Sequence, residues 1–149
     1  LFKSASFIGP AQHLDQQISL THRGQSTTSQ QQINNVGDTK SSATCNGRIL
    51  IEKEAAKASA ALSNQNLSLG KGVTFNAKPE LEIYNDDVTC SHGATIGQLS
   101  DSELFYLASR GIDPESAKTM MAKGFLSKAL DGPLAQESSR HFDQLFSVA

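Results

Sequence analysis

The stretch LEIYNDDVTCSHGATIGQLSDSEL, which covers residues 81–104, contains the point at which the composition of the chain changes. Before Gly97 the chain is rich in Ser, Thr, Asn, Gln and Gly, and its apolar residues form short clusters between turn-forming residues. Short apolar clusters bounded by turn signals are typical of β-strands, so the sequence predicts an all-β region before Gly97. The clusters lie at Gln17–Leu20, Arg48–Ile51, Leu67–Leu69, Leu81–Tyr84, Val88–Cys90 and Ala94–Ile96.

The spacing of three leucines suggests how these strands are arranged. Leu50, Leu67 and Leu81 each lie in one of the clusters, 17 and then 14 residues apart. We interpret this spacing as a coil that returns to stack on itself, as in a parallel β-helix.

The segment Glu52–Leu62 departs from the β pattern. It has high helix propensity but carries few bulky apolar residues that a core helix would bury. We expect it to form a surface excursion with a helical turn.

Helix signals dominate after Gly97. Ser100–Glu103 has the form of a capping box, in which the serine hydroxyl accepts a free backbone amide and the glutamate reaches back. Gly111 suits the left-handed position after a helix, and Asp113-Pro114 suits the start of the next one. Asp131-Gly132-Pro133 then separates a third helix. The predicted apolar faces are Leu104, Phe105, Leu107 and Ala108, then Ala117, Met120, Met121, Gly124 and Phe125, then Leu134, Phe142, Leu145 and Phe146.

Length and charge restrict the class of protein. The chain has 149 residues and a formal net charge of −2, which gives no reason to expect nucleic acid or a membrane as partner. It has no apolar run of the roughly 20 residues that cross a bilayer, and no signal-peptide pattern at its start. We expect a soluble, cytoplasmic protein. Because Leu1 is not an initiator methionine, we interpret the chain as a piece of a longer protein.

The chain has two cysteines, Cys45 and Cys90, which are too few for a disulfide framework. We expect reduced thiols, and the alternative is one structural disulfide between them. If residues 88–92 form a strand, Cys90 and His92 point to the same face, about 7 Å apart. A thiolate and an imidazole at that separation could share Fe or Zn. The alternative is a buried Cys90 beside a His92 that bonds to the backbone.

Two catalytic interpretations also remain open. An imidazole can hold a neighbouring thiol as a thiolate nucleophile, although no third group that would orient Cys90 and His92 is evident. An acidic group could supply a carboxylate pair for glycosidic cleavage, although charges beside turns are more often solvated. The acidic candidates are Glu80, Glu82, Asp86 and Asp87.

The other histidines, His13, His22 and His141, have no cysteine or carboxylate pattern around them. We expect them to be surface or capping residues. Gly70-Lys71-Gly72 lacks the spacing of a phosphate-binding loop, so the sequence shows no nucleotide site.

Two segments together resemble a known family. Lys78–Leu99 and its continuation Leu104–Ile112 are similar, almost without gaps, to the SufD branch of the SufB/SufD family of iron–sulfur cluster assembly proteins. Cys45–Ile51 resembles the F-N-G-R-I segment of that family, with Cys45 in place of the usual aromatic residue. The block Cys90–Thr95 points to the SufD branch rather than to SufB.

The resemblance implies a mainly β fold. Residues 1–97 would form the last coils of a truncated, right-handed parallel β-helix, and residues 98–149 a small α-helical C-terminal domain. The implied function is that of a scaffold subunit of the SUF assembly complex, not an enzyme. It would pair with SufB through the β-helix and dock the SufC ATPase on the helical domain.

The resemblance also implies roles for particular residues. His92 and Cys90 would lie at the cluster-assembly interface, with His92 a metal ligand only when SufB supplies further ligands. No cofactor would be bound by the isolated chain, and a transient iron–sulfur cluster would form in the complex. Candidates for docking the ATPase are Leu104, Phe105, Tyr106 and Arg110.

A truncated β-helix has an open strand edge, which invites pairing with another chain. We therefore expect association with a partner or with a second copy as a homodimer. The alternatives are a stand-alone metal-binding module, which would bind Fe or Zn tightly by itself, and a β-helix carbohydrate-active enzyme. The enzyme would lose all activity when Glu82 or Asp86 is changed.

Overall fold

In the computed structural model, the backbone is described for residues 1–130 and 133–147, and within them seven strands form a solenoid followed by three helices. All strands pair in parallel, in sheet A with the order β1-β3-β5-β7 and in sheet B with the order β2-β4-β6. This arrangement confirms the predicted parallel β-helix with a helical C-terminal part. The elements are β1 (Phe2–Ile8), β2 (His13–His22), β3 (Thr28–Gly37), β4 (Ser42–Ile51), β5 (Ser59–Ser68), β6 (Thr74–Ile83), β7 (Thr89–Gln98), α1 (Asp101–Ser109), α2 (Pro114–Ser127) and α3 (Pro133–Ser147).

One turn of the solenoid takes about 30 residues, since Thr74 of β6 lies beside Ser42 of β4. The leucine spacing of the sequence is therefore half a turn. Leu50, Leu67 and Leu81 lie on three successive strands that alternate between the two sheets, so they do not stack on one another. The prediction of a coil was right, but its period was wrong, because each turn contains two strands rather than one.

The interior between the sheets is filled by side chains at alternate positions of each strand. Ile49 and Ile51 of β4 are 0% exposed, and Leu62 of β5 is 4% exposed. Gly47 lies on the same interior row, because strand side chains alternate between faces with a period of two. A methyl group at Gly47 would come within 2.5 Å of Leu62 Cδ1.

Replacing Gly47 by alanine should lower the free energy of unfolding by about 1–3 kcal/mol, because a close-packed core accepts an extra methyl group only with strain. Gly93 is the matched control, since a methyl group there meets no atom within 4 Å. Urea unfolding of both variants measures the difference. Equal midpoints would contradict the packing of Gly47 against Leu62.

The corner between β4 and β5 differs from the predicted surface excursion. Ala55 and Ala58 are 0% and 1% exposed and belong to the interior hydrophobic cluster. Lys57 has a φ of 60°, and its backbone N–H donates to the Asp87 carbonyl of the neighbouring corner at 2.6 Å. The alanines are buried at this corner, and β5 begins at Ser59. The predicted surface excursion was therefore wrong for the buried alanines and for Ser59–Leu62, which belong to β5.

Helices α2 and α3 pack on the outer face of sheet A. Val36 and Leu67 of the sheet form a hydrophobic cluster with Ala122 and Leu126 of α2 and with Phe142 of α3. The helices and strands thus share one packed surface. The predicted division at residues 97 and 98 stays a prediction, although the end of β7 and the start of α1 flank it closely.

The apolar face of α2 was predicted wrongly at two positions. Met120 is 49% exposed and Gly124 is exposed, whereas Ala122 and Leu126 are buried against the sheet. The predicted face of α2 and the face that is buried both have helical spacing. The sheet selects the one on which Ala122, a small residue, allows close approach.

Two side-chain amides of β3 hold the end of α2. Gln32 Nε2 donates to the Lys128 carbonyl at 2.9 Å, and Asn34 Nδ2 donates to the Phe125 carbonyl at 2.8 Å. The last carbonyls of a helix have no partner within the helix. The sheet therefore fixes the direction of α2 as well as its face.

The predicted N-cap residues Ser100 and Asp113 and the glycine after α1 are confirmed. The Ser100 hydroxyl accepts from the Glu103 amide, and Asp113 Oδ1 accepts from the amides of Glu115 and Ser116. Gly111 has a φ of 84°. The predicted break at Asp131-Gly132 and the side chain of Leu134 lie outside the described residues. Within the described part of the chain, no helix is long and apolar enough to cross a membrane.

Candidate functional site

The solenoid has an open end at β6 and β7, because within the described residues each of these strands pairs on one side only. Cys90 pairs in register with Ala60, and His92 with Leu62, which point into the interior. By the alternation of a strand, both side chains share the interior-facing row of β7. Ile96 lies on the same row and is 59% exposed, since no further coil covers it.

The two potential ligands differ in their surroundings. Cys90 is half-buried and packs against the interior hydrophobic cluster, and this burial raises the pKa of its thiol. His92 is exposed. A thiol with a raised pKa is protonated at neutral pH, so Cys90 is not an activated nucleophile, and the geometry does not favour Cys–His catalysis. Cys45 is buried and, like Cys90, is a free thiol.

The acidic candidates for glycosidic cleavage are held by basic side chains or by a turn. Arg48 donates to both carboxylate oxygens of Glu82, at 2.7 and 2.8 Å, and these hydrogen bonds hold the pKa of Glu82 below its usual range. Glu80 pairs with Lys78 at 3.1 Å. A general acid needs a raised pKa. The geometry therefore does not favour a carbohydrate-active enzyme that uses Glu82. The other two candidates, Asp86 and Asp87, lie beside Asn85 at the β6–β7 corner. There the Asn85 side chain accepts a hydrogen bond from the Asp87 amide.

Cys90 and His92 are two potential metal ligands on one row of β7. Within the described residues, no group of three or more His, Cys, Asp or Glu side chains is close enough to hold a metal ion. Structural zinc and iron–sulfur sites use four protein ligands. Cys90 and His92 supply two potential ligands toward such a set.

Helix α1 contains the candidates for docking a partner on the helical part. Phe105 and Tyr106 are 77% and 57% exposed, and the Arg110 guanidinium lies 5.4 Å from the centroid of the Tyr106 ring. These three side chains form an exposed aromatic and cationic surface. Leu104 is half-buried and lines a cleft that also contains Lys118, so it lies apart from that surface.

The predicted apolar face of α1 is corrected accordingly. No residue of α1 is buried, and only Leu104 and Leu107 are partly covered, while Phe105 and Ala108 face outward. Tyr106 and Leu107 also line a groove of about 330 Å³ between α1 and α2. α1 is therefore held mainly by α2 and leaves most of its surface exposed to solvent.

One of the three histidines that were predicted to be surface or capping residues is buried in the structure. His13 and His141 are exposed, but His22 is 4% exposed and faces the interior. Its Nδ1 lies 2.7 Å from Thr27 Oγ1, and its Nε2 lies 2.7 Å from Ser29 Oγ. The alternation of Ile18 and Leu20 with polar residues along β2 is the signal that could have placed it inside.

Burial lowers the pKa of His22, so its folded form holds a proton less tightly than its unfolded form. The unfolded chain then binds more protons below the ordinary pKa of 6.5, and the free energy of unfolding should fall as the pH drops below that value. Urea unfolding between about pH 5 and pH 7 measures this fall, which His22→Gln should reduce. Identical pH slopes for wild type and His22→Gln would contradict the neutral, buried imidazole.

Comparison with known proteins matches the chain to one family and to several of its members. The family model described as "SUF system FeS cluster assembly, SufBD core domain" matches residues 1–125. The chain is 39% identical over 114 residues to the iron-sulfur cluster assembly protein SufD of Escherichia coli (strain K12), covering 76% of this chain and 27% of that protein. It is 40% identical over 104 residues to the SufBD family protein slr0076 of Synechocystis sp., covering 69% and 23%.

A third relative comes from a plant. The chain is 35% identical over 96 residues to protein ABCI7, chloroplastic, of Arabidopsis thaliana, covering 64% of this chain and 20% of that protein. The chain thus spans about a quarter of the length of the curated relatives that it matches. The resemblance to SufD that its motifs indicated is confirmed.

Proposed function

Because the chain belongs to the SufBD core family of the SUF system, we propose that it is a cytoplasmic scaffold subunit for iron–sulfur cluster assembly, with no turnover of its own. The observation that carries this proposal is the open end of the solenoid. There an unpaired strand edge, exposed apolar side chains and two potential metal ligands lie together.

The open end suits a β-rich partner, for which the paralogue SufB is the family candidate. Unpaired N–H and C=O groups of an edge strand are a template for strand addition. Ile83 of β6 is 45% exposed, Tyr84 is 65% exposed and Ile96 of β7 is 59% exposed. Covering Ile83 and Ile96, which lie on the interior rows of β6 and β7, would extend the interior of the solenoid into the partner.

The cluster would be cargo at this interface rather than a resident cofactor. Cys90 and His92 supply two donors, and cysteine and histidine are both ligands that iron accepts. The remaining ligands would come from the partner. The isolated chain is then expected to bind no cluster, and His92, which is exposed, becomes a ligand only when SufB is present.

The SufC ATPase would dock on α1 through Phe105, Tyr106 and Arg110. Aromatic residues and arginine carry much of the energy of protein interfaces. Leu104, the remaining candidate, lies in the cleft between α1 and the corner of the solenoid and not on this surface.

Replacing Phe105 by alanine in the full gene product should weaken SufC binding by about 30-fold, because truncation of an aromatic hot spot costs about 2 kcal/mol. SufB pairing should be unchanged. The reciprocal variant Ile96→Ala should weaken SufB pairing and leave SufC binding intact. Affinities measured by surface plasmon resonance test both, and loss of the same partner in both variants would contradict two separate surfaces.

A further inference from the structure

The two strands at the open end differ in the backbone groups that they leave unpaired. Along a strand, the N–H and C=O groups of successive residues point alternately to the two sides. At the start of β6 the Thr74 amide donates to the Ser41 carbonyl at 3.0 Å. Just after its end the Tyr84 amide donates to the Ile51 carbonyl, also at 3.0 Å. Because the register of β4 and β6 is unbroken between these points, the even-numbered residues of β6 pair with β4 and the odd-numbered residues point to the open edge.

Pro79 lies in the middle of β6 and belongs to the odd-numbered set. Its backbone nitrogen therefore faces the open edge, so the ladder with β4 loses no hydrogen bond. Proline has no N–H to offer, and its ring occupies the space in front of the nitrogen. A strand laid against β6 would meet this ring and leave one of its own carbonyl groups without a donor. Proline on an edge strand is a recognised way to prevent further pairing, and the edge of β6 is closed in this way.

The edge of β7 keeps all of its backbone donors. The Thr89 amide donates to the Ala58 carbonyl at 2.9 Å, so the odd-numbered residues of β7 face β5. The Thr95 carbonyl agrees with this assignment, since it accepts from Asn66 Nδ2 of β5 at 3.1 Å. The even-numbered residues therefore point their N–H and C=O groups to the open edge, and none of them is a proline. They are Cys90, His92, Ala94, Ile96 and Gln98.

We propose that the partner adds one extended strand to β7 and none to β6, a proposal that rests on the function proposed above. Sheet A then continues into the partner, whereas sheet B ends at β6. A row of unpaired N–H and C=O groups is the surface that an added strand satisfies, which argues for a β-rich partner. Ile96, which is 59% exposed, is covered by the added strand. Ile83 of β6, which is 45% exposed, is covered by side chains of the partner without a backbone ladder.

Ala94 and Ala77 provide a matched pair for the test. Both are alanines on the interior-facing rows of their strands, Ala94 on β7 beside Asn64 and Ala77 on β6 beside Cys45. The backbone N–H of each points to the open edge, so it has no partner in the ladders of the solenoid. Replacement by proline removes one outward donor, and edge strands tolerate proline at such positions. Circular dichroism and the thermal midpoint of each variant show that it is folded.

Ala94→Pro in the full gene product should weaken binding of SufB by at least about tenfold, because a ladder hydrogen bond is lost and the ring meets the added strand. Ala77→Pro should bind as wild type does. Surface plasmon resonance measures both affinities. Wild-type affinity in Ala94→Pro, or an equal loss in Ala77→Pro, would overturn the proposal.

Amide hydrogen exchange of the wild-type protein gives a test that does not depend on either variant. Binding of SufB should slow exchange at the outward amides of β7, such as His92 and Ile96, and leave the outward Leu81 amide of β6 unchanged. Equal slowing at Leu81 and His92 would overturn the proposal. SufB that binds without slowing His92 and Ile96 would overturn the pairing with β7 but not the scaffold function. A wild-type protein that does not bind SufB would overturn both.

Discussion

Ile49→Ala should lower the free energy of unfolding by about 2–5 kcal/mol, because it removes methyl groups from a fully buried site and leaves a cavity. Ile49 is 0% exposed and lies in the interior cluster with Ile51, Ala60 and Leu62. The cavity cannot collapse easily, since the strands on both sides are fixed by parallel ladders.

Leu50→Ala is the matched control for this prediction. Leu50 follows Ile49 on β4 but points to the outer face, where it is only half-buried beside Glu82 in register. Its truncation should cost about 1 kcal/mol. Urea unfolding measures both, and a larger effect of Leu50→Ala would mean that the register of β4, and with it the interior of the solenoid, is wrong.

Ile96→Asp in the full gene product should abolish SufB pairing, with a loss of affinity of at least about 100-fold. The exposed side chain lies at the open end, where pairing would bury it, and an uncompensated buried charge costs about 3–5 kcal/mol. Folding should be unaffected, since the aspartate faces water in the unpaired subunit.

Thr95→Asp is the control for Ile96→Asp, because Thr95 is the neighbouring residue on the opposite face of β7. It should leave pairing within a few-fold of wild type. Pull-down with SufB and circular dichroism of each variant provide the measurements. Pairing that survives Ile96→Asp would exclude the open end as the partner surface.

Much of the fold could be predicted from local signals. Ser100, Gly111 and Asp113 have a single preferred place at helix ends, and the structure puts them there. Short apolar clusters between turn-forming residues indicated strands, because this signal too is local in the sequence. The position of Cys90 and His92 on one face followed from strand alternation alone.

Other features depend on contacts that the sequence does not express locally. Ala55 and Ala58 have high helix propensity, but they are buried in the interior cluster at the corner between β4 and β5. The buried face of α2 is chosen by sheet A through Val36 and Leu67, so Ala122 rather than Met120 is inside. Such long-range choices override local propensity.

The polar interior was the hardest feature to predict. Glutamine, asparagine and histidine are mostly exposed in proteins, yet His22, Gln31 and Asn35 are buried here. Only the knowledge of which strand face points inward identifies them. The pairing of Arg48 with Glu82 was also missed, since these residues lie on different strands and meet only through the parallel register.

The most direct test of the scaffold proposal is size-exclusion chromatography of the full gene product with SufB and SufC, followed by iron and sulfide analysis. Wild type, His92→Ala and Ser91→Ala are compared, with Ser91 as an exposed neighbour on the opposite face of β7. We predict that all three co-elute with both partners and that only His92→Ala fails to accumulate a cluster. A wild-type protein that associates with neither partner would contradict the account.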